Sequence, residues 1–91
     1  MRKELDDSIK GANEASVTLM FTDLALADTM LERAETTQDE ATRRRNIQHV
    51  TTACESVQHF MGKLRLSDAE RDALSRKLAA LQERLGDLQP Q

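Results

Sequence analysis

Apolar positions recur every three or four residues along three stretches of this 91-residue chain, and the spacing predicts three amphipathic helices. The last stretch is the most regular. Leu74, Leu78, Leu81, Leu85 and Leu88 alternate steps of four and three, which keeps them on one narrow face. Ser67-Asp68-Ala69-Glu70 fits a capping box, in which the serine hydroxyl accepts from the Glu70 amide while the glutamate reaches back to the cap. Gly86 weakens the segment and Pro90 ends it, so a helix is predicted over 67–88.

The middle stretch carries Ile47, Val50, Cys54, Val57, Met61 and Leu64 on one stripe, broadened by Ala53 and Phe60. Thr37-Gln38-Asp39-Glu40 is a second box of the T-x-x-E kind, placing this helix over 38–62. Asp39 with Arg43 and Glu40 with Arg44 have the favourable acid-first i,i+4 order.

The first stretch differs from these two. Met20, Leu24, Ala27, Leu31 and Ala34 form a stripe, but Leu19, Leu26, Met30 and Phe21 form a second apolar set around it. The apolar surface is therefore wider than the ~100° of a half-buried helix, and such a helix needs cover on more than one side. Asn13 is read as the start of this helix over 13–35, after a short or frayed helical arm at 1–12 in which Leu5, Ile9 and Ala12 have helical spacing. Short connections at 35–37 and 63–66 make successive helices antiparallel, so the expected fold is all-α: one domain over 13–91 with an up-down-up three-helix bundle.

Composition sharpens that reading. The chain has 3 Gly, 1 Pro and 2 Phe, too few turn and aromatic residues for a multi-stranded sheet. A domain of this size is marginally stable, and its single cysteine excludes an intrachain disulfide, which raises the value of self-association or a partner. Thirteen basic against sixteen acidic side chains give a net charge of −3, which argues against general attraction to nucleic acid or anionic lipid. Neither a secretory signal nor a membrane-spanning apolar run is evident, so the expected location is cytoplasmic.

Candidate chemistry is sparse. His49 and His59 flank Cys54 at five residues on either side, and five residues rotate a helix by about 140° net, so the three do not converge on a metal. Cys54 lies in an apolar stripe with no activating base, and no phosphate-binding glycine loop or nucleophile elbow is present. The expectation is a protein that is not an enzyme and has no cofactor. Arg43-Arg44-Arg45 is the basic cluster, but successive residues fan around the helix and two of the three have acidic neighbours four positions earlier.

The succession of an Ala-rich first helix, Ala53-Cys54-Glu55-Ser56-Val57-Gln58-His59-Phe60 and Leu78-Ala79-Ala80-Leu81-Gln82-Glu83-Arg84-Leu85 resembles tetratricopeptide-like and microtubule-interacting-and-trafficking modules. It is similar also to single-repeat bacterial helical proteins, over Arg44-Arg45-Asn46-Ile47 to Phe60 and Leu66-Ser67-Asp68-Ala69-Glu70. The resemblance implies a helical hairpin with a third helix alongside, small residues such as Ala27 and Ala53 at the helix crossing, and protein binding. The expected function is thus a protein–protein interaction module, forming a homodimer or taking a protein partner through Leu19, Met20, Leu26 and Met30. The alternatives are a small nucleic-acid-associated regulator using Arg43 to Arg45, or an accessory subunit of an enzyme.

Overall fold

A computed structural model describes the backbone of residues 2–88 and the side chains of residues 14–88. Three helices account for nearly all of it: α1 (Arg2–Thr36), α2 (Glu40–Met61) and α3 (Asp68–Leu88). Arg84, near the end of α3, and Arg43, near the start of α2, both reach the last turns of α1. It follows that α1 and α3 run in one direction and α2 in the other, the up-down-up order expected from the short connections.

The apolar stripes meet in one core. Val17, Met20, Leu24, Ala27, Leu31 and Ala34 of α1 are buried with Val50, Cys54, Val57 and Met61 of α2 and Leu74, Leu78, Leu81 and Leu85 of α3. No polar or charged residue is buried among the described residues. Apolar burial is therefore what holds the helices together, at about 25 cal/mol per Å². Ala27 and Ala34 are fully enclosed, and Ala53 packs at the edge of the core, so small side chains stand on α1 and α2 where the two helices meet.

Helix ends follow local chemistry. At α3 the capping box is complete: the Ser67 amide donates to Glu70 Oε1 at 2.9 Å and the Glu70 amide donates to Ser67 Oγ at 3.0 Å. At α2 the predicted box is displaced. Asp39 is the cap, its carboxylate accepting from the Thr42 amide at 3.1 Å and from the Thr42 hydroxyl, while Thr37 Oγ1 accepts from the Asp39 amide at 3.1 Å. An aspartate in extended conformation serves as a cap at least as well as threonine, so the helix starts at Glu40 and Thr37 shapes the turn before it.

The largest departure from the sequence reading is the length of α1. It is continuous through Gly11 and Asn13, where a break and a new cap were expected. An interior glycine costs only about 1 kcal/mol relative to alanine, too little to interrupt a helix in which each added residue closes another hydrogen bond. The side chains of Leu5, Ile9 and Ala12, read as the apolar positions of an arm, lie outside those described. With 35 residues against 22 and 21, α1 is about 52 Å long at 1.5 Å per residue, close to the 57 Å longest dimension of the molecule.

Candidate interaction groove between α1 and α2

The four residues proposed from sequence as an interface separate into two groups. Met20 is buried in the core, where it fills space between the helices. Leu19 and Leu26 are exposed, at 60% and 55%, and Met30 is half-buried against the core edge. The reason is angular: Met20 is one of the core-stripe residues, whereas Leu19, Leu26 and Met30 follow one another by seven and four residues on the neighbouring stripe.

Phe60 of α2 completes the exposed set. Sequence spacing assigned it to the edge of the buried stripe, yet half of its surface is open. One hundred degrees per residue carries it from Val57 past the core boundary and onto the α1 side of α2. There it shares a small cleft with Ser16, Leu19 and Met20, and its ring meets the His59 imidazole edge-on at 5.6 Å. A second, wider cleft follows along the same two helices, lined by Leu26, Met30, His49 and Ala53. Asp23 borders both, so the two clefts adjoin along α1 as one groove of mixed lining, in which Leu19, Phe60, Leu26 and Met30 stand among Ser16, Ser56, Gln48, His49 and Thr52 with a single carboxylate midway.

The arginine cluster does not present a common face. Arg43 turns back to the end of α1, donating from Nε to the Ala34 carbonyl at 3.2 Å and from Nη2 to the Thr37 carbonyl at 2.7 Å, with Glu40 at 3.0 Å. It caps the carbonyl end of α1, where a cation is also favoured by the helix dipole. This replaces the expected Asp39–Arg43 pair, since Asp39 is held by Thr42. Those hydrogen bonds and the nearby Arg45 guanidinium lower the Asp39 pKa. Arg44 and Arg45 remain exposed on different sides of the helix.

Cys54 is buried among the core side chains, and that burial, with the Glu55 charge beside it, pushes its thiol above the ordinary range. The shift is away from the thiolate that nucleophilic chemistry needs. His49 and His59 are both exposed. Among the described residues no three histidine, cysteine or acidic side chains cluster, and no helix is long and apolar enough to cross a membrane.

One feature that spacing within single helices did not reveal is the Arg84 fork. Arg84 of α3 donates from Nη2 and Nε to the two carboxylate oxygens of Glu35, at 2.6 and 3.2 Å, and from Nη1 to Asp28. Asp28 and Glu35 stand seven residues apart on one face of α1, the sole hint in the sequence that they share a partner. No family model, curated protein or solved structure matches the chain.

Proposed function

We propose that this protein is a non-catalytic helical interaction module that binds a further helix in the groove between α1 and α2. The observation that carries this reading is the alignment of the exposed large apolar residues Leu19, Leu26 and Phe60 along that one groove. Single exposed leucines are ordinary on protein surfaces, whereas a contiguous set bordered by polar side chains marks an interaction site. Met30 and Met20 at its floor supply adaptable packing of the kind used by helix-binding grooves.

The binding unit is a helix because the groove lies between two antiparallel helices and runs along them. A fourth helix laid there converts a three-helix arrangement into a four-helix bundle, with knobs entering the spaces between Leu19, Asp23, Leu26 and Met30. Nucleic-acid binding gains no support from Arg43, which is engaged in capping α1.

A photo-reactive amino acid placed at Leu26 tests the reading in cells that express the full chain. Crosslinking to a protein is expected at position 26 and not at Glu83, on the outer face of α3. Absence of any adduct from 26, or equal adducts from both positions, would contradict the proposal.

A further inference from the structure

We infer that the groove receives an amphipathic helix of another protein that carries an arginine or lysine in the middle of its apolar stripe; this rests on the groove reading above. Asp23 is the residue that directs the choice. It is half-buried and borders both clefts, and no hydrogen bond or ion pair engages its carboxylate among the described residues. His49, the other titratable side chain of the lining, forms no ion pair with it.

The neighbours of Asp23 on α1 make that open carboxylate consequential. Leu19 lies four residues before it and Leu26 three after, both exposed, and Met30 follows seven after it on the same side of the helix. A helix that packs on these three side chains covers the carboxylate as well. Taking an ion out of water without a counter-charge is strongly unfavourable, whereas a close charge pair across an interface strengthens binding. The occupant that fits the whole groove therefore offers apolar side chains to Leu19, Phe60, Leu26 and Met30, and a cation between them.

The spacing gives the partner a pattern. Leu19 and Met30 stand about 17 Å apart along the axis at 1.5 Å per residue, so about three turns of partner helix span the apolar positions. Its cation has apolar residues three or four positions to either side, and a long apolar stem carries the charge to Asp23. The groove also limits how much positive charge it accepts. Arg33, one turn beyond Met30 on α1, and Arg45, one turn before His49 on α2, are exposed at the same end because the two helices are antiparallel. A helix basic throughout would be repelled there, which confines the cation to the level of Asp23. The same side of α1 in a second copy of this chain presents aspartate at this level, so a different protein is the fitting occupant.

Crosslinking from position 26 in cells that express the full chain tests the inference when Asp23 is varied. The parent, Asp23→Asn and Asp23→Glu are compared, each checked for native helicity. Asp23→Asn keeps the size and removes the charge, so the adduct yield should fall about tenfold, the lower end of what a close interfacial charge pair contributes, while Asp23→Glu should retain most of it. The crosslinked segment of the partner, read by mass spectrometry, should carry an arginine or lysine with apolar residues three or four positions to either side. An Asp23→Asn chain that gives as much adduct as the parent, an Asp23→Glu chain that loses as much as Asp23→Asn, an adduct at twice the chain mass, or a crosslinked segment without such a cation would overturn the inference while leaving the groove as an interaction site. Absence of any adduct from the parent would overturn the groove reading itself, and this inference with it.

Discussion

Arg84 of α3 holds Glu35 of α1 with two parallel hydrogen bonds, and with its third nitrogen takes Asp28 two turns earlier on the same helix. The fork ties the ends of the first and last helices together. It lies on the side of α1 away from the groove and so fixes α3 without occupying the candidate interface. Because all three side chains are partly solvated, the pairing is worth a modest amount, about 0.2 to 1 kcal/mol in a double-mutant cycle of Arg84→Met with Glu35→Gln. Chemical denaturation of the four proteins measures the coupling, and additive effects would show that the fork contributes nothing.

Acid should loosen the same contact. The hydrogen bonds from Arg84, with its charge, lower the Glu35 pKa from its ordinary 4.5. A depressed carboxylate contributes stability that is fully present above its unfolded value and lost as the pH falls through the folded one. Stability at neutral pH relative to pH below 4 should therefore fall less steeply in Glu35→Gln than in the wild-type chain. Matching pH profiles would remove Glu35 from the account of acid sensitivity.

The capping box of α3 offers a local test. Ser67→Ala removes the acceptor for the Glu70 amide and should cost about 1 kcal/mol, with Glu70→Ala adding less because the helix dipole interaction is partly replaced by solvent. A thermal melt that leaves Ser67→Ala unchanged would contradict the assignment of the cap.

The three arginines should behave unequally. Arg43→Ala frees two carbonyls at the end of α1 and is expected to destabilise by about 1 kcal/mol, whereas Arg44→Ala should stay within about 0.5 kcal/mol of the parent. Equal effects in denaturant titrations would mean that Arg43 does not act as a cap.

The fold was legible because its signals are local. Leucine and valine spacing, the Ser67 box and the short connections each lie within a few residues and named the three helices, their order and most of the core. Two kinds of feature were less accessible. The start of α2 turned on competition between Thr37 and Asp39 for one capping role, and the continuity of α1 on whether Gly11 and Asn13 outweigh helix propagation. The groove was half visible: spacing marked Leu19, Leu26 and Met30 as surplus apolar surface on α1. That Met20 belongs to the core and Phe60 to the groove depends on the angular relation of two helices, which no single-helix pattern contains. Arg84 was hidden for the same reason, since its partners are 49 and 56 residues away.

Crosslinking from position 26, compared between the full chain and the same chain carrying Leu19→Asp, bears most directly on the groove between α1 and α2 as an interaction site. Protein adducts from position 26 are expected in the parent and should be lost in Leu19→Asp with helicity undiminished, because Leu19 and Leu26 are both exposed on that side of α1. A parent chain that gives no adduct from position 26, or a Leu19→Asp chain that gives as much as the parent, would contradict the account.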